Sequence, residues 1–228
     1  MRISNREIAL GGLFGGITLL LGFTYLGYIP LPTPAGAATI MHIPVIIAGL
    51  LLGPRFGFIV GSLFGLSALY YFLSVAPPWV LFPARPFIGV VPPLVYYSML
   101  RLLEGKEKSY IRWISLIISS ILLVITLGLT YTKLGISFWF ILLCLLLIVI
   151  ILFWVRSSDP KIVSLAVASF LGSMTNTIGT LGLATIFKIY PFSVFISLSI
   201  LQGIPEALLA VIICTPIVIA IEGRVKKV

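Results

Sequence analysis

Apolar residues run along this chain in long unbroken stretches rather than alternating with polar ones. Eight such stretches are read, at approximately 8–28, 38–53, 55–73, 86–103, 113–132, 136–155, 162–187 and 192–221. A helix that crosses a bilayer needs about 20 predominantly apolar residues, and seven of the eight approach or exceed that length. The exception, 38–53, is at the short limit and reads as a tilted or partly re-entrant helix. Continuous runs without period-two alternation argue against a membrane β-barrel and make sheet unlikely. The pattern predicts an all-α integral membrane protein forming one membrane domain over 1–228. Within it, 113–155 reads as an inserted helical hairpin, because this Leu, Ile and Phe rich pair leaves the topology of later segments unchanged.

The chain is organised around Ala38 to Pro54, ATIMHIPVIIAGLLLGP, which carries the sole histidine, His42, together with an internal Pro44 and a Gly53-Pro54 stop. Ahead of it lies the uncharged turn IPLPTPAGA at 29–37, whose prolines and glycine extend a helix in neither direction. A turn of this kind beside a polar-bearing membrane segment suits the mouth of a small-molecule site. The N-terminal run imitates a signal peptide, with Arg2, Arg6 and a small-residue Ala35-Gly36-Ala37 site. Its apolar core, from Ile8 to Tyr28, is longer than a secretory core and is expected to be a retained helix.

Composition strengthens the membrane reading. The 228 residues are 60% hydrophobic and 9% charged, with mean hydropathy +1.23, against roughly a quarter charged in soluble domains. The net charge of +9 does not indicate nucleic acid, since the basic residues stand singly between apolar runs. It fits the positive-inside rule instead. With the N-terminus inside, Arg2, Arg6, Arg55, Arg101, Lys106, Lys108, Arg112, Arg156, Lys161, Arg224, Lys226 and Lys227 fall on the inner side. Only Arg85, Lys133 and Lys188 fall outside, so both termini are expected in the cytoplasm. Cys144 and Cys214 lie in apolar runs without metal-ligand spacing, which indicates neither a disulfide framework nor a zinc site.

Small residues at helical spacing mark close helix contacts. Gly11, Gly12, Gly15 and Gly16 form two overlapping GxxxG pairs in the first segment, suited to internal packing or to docking a partner. Gly57, Gly61, Gly65 and Ala68 form a second seam, read as internal packing.

Polar groups at membrane depth are costly and mark candidate sites. Here they are His42, Arg85, Thr175-Asn176-Thr177, Gln202 and Glu206, with Asn176 and Glu206 near mid-depth. Ser169, Gly172, Ser173, Asn176, Gly179 and Thr180 line one side of a helix, and Gln202 and Glu206, four apart, share another. Between them Pro205 removes a backbone hydrogen bond and with Gly203 loosens the helix. Polar faces from several helices are thus expected to converge on one cavity open to the outer side. Blander readings are an interfacial histidine, an interfacial arginine anchor and an asparagine that only joins helices. No G-x-x-x-x-G-K-[ST] phosphate loop and no H-E-x-x-H motif occurs, so neither ATP hydrolysis by that route nor zinc-protease chemistry is supported, and no cofactor is implied.

The ordered set MHIPVIIAGLLLGPRFGFIVGSLFGL at 41–66, GSMTNTIGTLGL at 172–183 and QGIPEALLAVIICTPIV at 202–218 resembles the substrate-binding S components of energy-coupling factor vitamin transporters. The MHIP pattern is most similar to the pantothenate-type group. The resemblance implies a six-helix core around a vitamin, here with the extra hairpin, and the 29–37 turn as its lid. It places Asn176, Gln202 and Glu206 on pocket-lining helices, and has Arg85 pairing with a pantothenate carboxylate. It further implies docking on a membrane coupling subunit driven by two cytosolic ATPases, with Gly12 and Gly16 in place of the family's Ala-x-x-x-Ala. The chain departs from the pattern in its eight apparent spans and its proline-rich 77–93 stretch.

The expected function is therefore a non-enzymatic, substrate-binding subunit of an ATP-driven importer. The expected site residues are His42, Arg85, Asn176, Thr177, Gln202 and Glu206. The vitamin is pantothenate by preference, with riboflavin, folate, cobalamin or a queuosine precursor as alternatives. The expected partners are that vitamin, the coupling subunit, the ATPases and membrane lipids, without nucleic acid. A proton-coupled carrier using Glu206 is the alternative, weakened by the lack of an internal repeat. A membrane lipid-modifying enzyme comes third, since few acidic residues face the inner side.

Overall fold

The computed structural model describes residues 3–30, 36–117, 120–121 and 159–225, so most of the expected hairpin at 113–155 lies outside the described residues. Helix α1, Asn5–Phe23, starts at a capping box. The Ser4 hydroxyl accepts the Glu7 N–H at 3.2 Å while the Ser4 N–H donates to the Glu7 carboxylate at 2.8 Å. Gly11, Phe14, Gly15, Thr18 and Gly22 face inward from it. Ile8, Leu13, Ile17 and Leu20 are exposed, which is the expected state of a lipid-facing surface.

After α1 the backbone cannot stay helical through the prolines, and its amides find partners in a small sheet instead. Strand β1, Tyr28–Pro30, pairs antiparallel with β2, Ala37–Thr39, with Tyr28 opposite Thr39 and Ile29 opposite Ala38. Sheet was expected to be unlikely, and that expectation is corrected here: a two-stranded antiparallel pair flanks the 29–37 turn.

Helix α2, His42–Leu52, has 11 residues. It is about 16 Å long, roughly half the hydrocarbon thickness, so 38–53 is not a spanning helix. It is a core element, buried without a break from His42 to Leu50. Such a helix must be apolar all round, which its sequence is.

Gly53, at φ 86°, turns the chain, and Pro54 opens α3, Pro54–Phe72, where its missing N–H has no intrahelical partner to lose. A short α4, Pro78–Leu81, leads into α5, Arg85–Leu103. Helix α6, Pro160–Ile186, begins at the Asp159 cap, whose carboxylate accepts the Lys161 N–H at 2.8 Å. Then come α7, Phe192–Leu198, a π-helical turn at Ser199–Gly203, and α8, Ile204–Val225. The π-turn sits where Gly203 and Pro205 loosen the last segment. Among the described residues five stretches are long and apolar enough to cross a membrane: α1, α3, α4 with α5, α6, and α7 through α8.

Helix α5 packs on α3 and α6, and α8 packs on α6 and α2. The α2, α3 and α5 crossing depends on glycine. A β-carbon on Gly57 would strike the Gly89 carbonyl, and one on Gly89 would strike the Gly57 carbonyl. Gly49 meets the same Gly89 carbonyl. Backbones thus touch directly, as small residues allow in a membrane. At the other end of the bundle Lys161 and Glu222 form an ion pair at 2.6 Å that ties the start of α6 to the end of α8.

Candidate substrate-binding site

Beneath the hairpin lies a cavity of ≈ 100 Å³ with an open mouth. Its walls come from elements far apart in sequence. The hairpin gives Tyr28, Ala37 and Thr39; α3 gives Phe64 and Phe72; α6 gives Asn176, Thr177, Thr180, Leu181 and Ala184. Arg85, Gln202 and Glu206 complete the polar part, and Val75, Ala76, Val80, Leu81, Tyr190 and Leu198 the rest.

Arg85 is the first residue of α5, held there by a close approach. Its backbone carbonyl lies 2.5 Å from where a β-carbon of Gly61 would stand, so only glycine lets α5 start so near α3. The side chain is 7% exposed and its guanidinium carbon sits 5.1 Å from the centroid of the Phe64 ring. That ring offers a cation–π contact, yet Nε and Nη1 have no hydrogen-bond partner among the described residues. A buried guanidinium with open donors is a ready receptor for an anion.

On α6 the small and polar face read from the sequence turns inward, with Ser169, Gly172, Ser173, Asn176 and Thr177 all buried. Among the described residues Asn176 Oδ1 and Thr180 Oγ1 are without partners, so both remain available to a bound molecule. The π-turn presses against this face: a β-carbon on Gly203 would meet Thr177 Cγ2 at 2.7 Å.

Gln202 and Glu206 project from the loosened last segment onto the hairpin. The Thr39 N–H donates to Glu206 Oε1 at 2.8 Å. Gln202 Nε2 donates to the Ala37 carbonyl at 2.5 Å and to Glu206 Oε1 at 3.3 Å. One oxygen, Gln202 Oε1, is unpartnered among the described residues. The two side chains therefore line the cavity and also hold β2 over it.

Of the six residues expected at the site, the fold brings Arg85, Asn176, Thr177, Gln202 and Glu206 to one cavity. His42 does not line it. That side chain is wholly buried at the start of α2, and neither ring nitrogen has a hydrogen-bond partner among the described residues. Gly12 and Gly16, expected at a docking face, are exposed, with no described residue within 4 Å of an added β-carbon.

Tyr28, Thr39, Thr180 and Tyr190 also line the cavity, beyond the six expected residues. Thr180 belonged to the recognised small and polar face. Tyr28 and Tyr190 carried no signal beyond that of interfacial aromatics, and Thr39 none. At these two phenols, outside the spanning helices, burial raises the pKa, that of Tyr28 to about 12 against the opposing charge of Arg85. Both stay neutral donors at physiological pH.

Among the described residues no cluster of His, Cys, Asp or Glu is arranged to hold a metal. The arrangement can do three things: receive an anion at Arg85, exchange hydrogen bonds at Asn176 and Thr180, and enclose a small molecule under the hairpin.

Comparison with known proteins adds one finding. The family described as "ECF transporter, substrate-specific component" matches residues 6–143. No curated protein and no solved structure matches the chain.

Proposed function

Because the chain belongs to the family of substrate-specific components of ECF transporters, we propose that it captures a small vitamin in the cavity beneath the hairpin and delivers it to an energy-coupling module. The observation that carries this reading is the convergence of Arg85, Asn176, Thr177, Gln202 and Glu206 on that cavity, from four elements, in a chain without a phosphate loop. Binding is in this chain, and the energy comes from elsewhere.

Pantothenate is the favoured vitamin. Its carboxylate suits the unpaired guanidinium of Arg85, and its hydroxyl and amide groups suit the open Asn176 and Thr180. The proposed contact set does not include His42, which does not line the cavity. The module is proposed to be a membrane coupling subunit with two cytosolic ATPases, and the docking face the open Gly12 and Gly16 surface of α1. The distribution of Lys and Arg supports a cell-membrane protein with both termini in the cytoplasm.

Reconstitution tests the reading. Purified chain in vesicles is expected to bind labelled pantothenate but to accumulate it only when the coupling subunit, the ATPases and ATP are present. Robust uptake by the chain alone would reject the importer, and dependence of that uptake on a proton gradient would point to a carrier using Glu206.

A further inference from the structure

The cavity has two unlike ends, and α6 is the ruler between them. At the level of Asn176 to Thr180 the wall is polar, with Arg85 across from α6, because the residue before it, Ala84, packs on Gly179. From Leu181 outward the wall is apolar. Ala184 belongs to one packed cluster with Ala76, Val80 and Leu81, and Val75 and Leu198 extend the same surface. Asn176 and Ala184 are eight residues apart, about 12 Å along the helix.

Charge narrows the choice further. The chain has six acidic residues, and Glu206 is the one that lines the cavity. Its Oε1 is already engaged by the Thr39 N–H and by Gln202, and Arg85 forms no hydrogen bond to it. Glu7, Glu104, Glu107, Asp159 and Glu222 belong to the inner connections and helix ends, away from the cavity. The guanidinium therefore has no counter-charge of its own. A buried charge at membrane depth is costly until it is paired, so the bound substrate is the natural source of that pairing. A single cation matches a single anionic group, while the Glu206 carboxylate on the same cavity disfavours a second one.

We infer that the cavity is specific for a monocarboxylate, its carboxylate seated on Arg85 above the Phe64 ring and the apolar part of its body lying along Leu181 and Ala184 toward the mouth. This deepens the importer reading, on which its biological meaning rests, by naming the substrate class. Pantothenate is one member of that class; polyanions, cations and uncharged ring systems are outside it. Arg85 sets the charge that is accepted, and Ala184 sets how bulky the body can be.

The test is a binding series on the full chain in detergent, read by calorimetry and by ligand-induced shift in Tm. The probes are pantothenate and octanoate, each against its primary amide, with suberate as a dicarboxylate and riboflavin as a neutral ring system. At least one monocarboxylate is expected to bind, its amide roughly ten- to a hundred-fold more weakly. Arg85→Gln is expected to weaken the acid far more than the amide, bringing the acid-to-amide ratio close to one. Ala184→Phe is expected to weaken the acid with the longer apolar body most. The acid-to-amide ratio in the unaltered protein needs no variant, so a poorly folding Arg85→Gln protein leaves the inference exposed to refutation. Equal binding of acid and amide, tighter binding of suberate or riboflavin, or binding of no monocarboxylate overturns it. The importer reading fails separately, on ATP-independent uptake: a chain that holds riboflavin and still needs the ATPases loses this inference and keeps its role.

Discussion

Two glycine seams in this protein look alike in sequence and behave oppositely in space. The seam of α3, through Gly57 and Gly61, is filled by the backbone of α5, with carbonyl oxygens where side chains would stand. The outer seam of α1, Gly12 and Gly16, touches none of the described residues, while Gly11 and Gly15 one position earlier pack on Phe56 and Leu63 of α3. The difference teaches that small-xxx-small spacing states only that something can come close. Whether that neighbour is in the same chain depends on which way the helix is turned.

Substitutions separate the cases, beginning with the most damaging. Gly89→Leu forces a side chain into the Gly57 backbone, which cannot yield as a flexible side chain would. A loss of about 3 kcal/mol or more is expected, seen as failed expression or a large fall in Tm in detergent. A Gly89→Leu protein as stable as the parent would break the account of the α3 and α5 contact.

Gly11→Ala meets only the Phe56 ring, at 2.6 Å, and that ring can move. About 1 kcal/mol is expected, a Tm lower by a few degrees.

The hairpin supplies a polar counterpart of similar or smaller size. Glu206→Ala removes the acceptor of the Thr39 N–H and is expected to cost about 1 kcal/mol locally, whereas Glu206→Gln keeps an oxygen there. Hydrogen exchange at the Thr39 amide should speed up in the alanine variant and stay slow in the glutamine one. Equal exchange in both would show that the side chain does not hold β2.

Smallest of all in stability is Gly12→Leu, placed where no described residue lies within 4 Å. The Tm of the isolated chain is expected to move by less than about 0.5 kcal/mol of equivalent stability. Co-purification with the coupling subunit is expected to be lost. Retained assembly would remove this face from the docking surface and leave the cavity untouched.

Much of the fold was legible because bilayer burial imposes a one-dimensional rule, that a spanning backbone must satisfy its own hydrogen bonds inside an apolar helix. Five spanning stretches follow that rule and sit where the apolar runs predicted. The second segment, 38–53, read as short, tilted or partly re-entrant, and hydropathy could say no more because it registers burial in protein and burial in lipid alike. Its 11-residue helix is apolar on every side since protein surrounds it. The hairpin at Tyr28 to Thr39 was missed because strands of three residues leave no periodicity to read.

The amino-acid order by itself determined the membrane class, the inward face of α6 from Ser169 to Asn176, the break near Gly203 and Pro205, and the scarcity of charge that made Arg85 and Glu206 conspicuous. Each depends on neighbours within a few turns of one helix. Only the tertiary structure decided that His42 lies off the cavity, that Glu206 grips Thr39 across 167 positions of chain, and that Arg85 comes to rest over Phe64. Those outcomes depend on how close helices approach and how each is rotated about its axis. Both are set by contacts such as Gly61 against the Arg85 carbonyl, which join residues that no local pattern links.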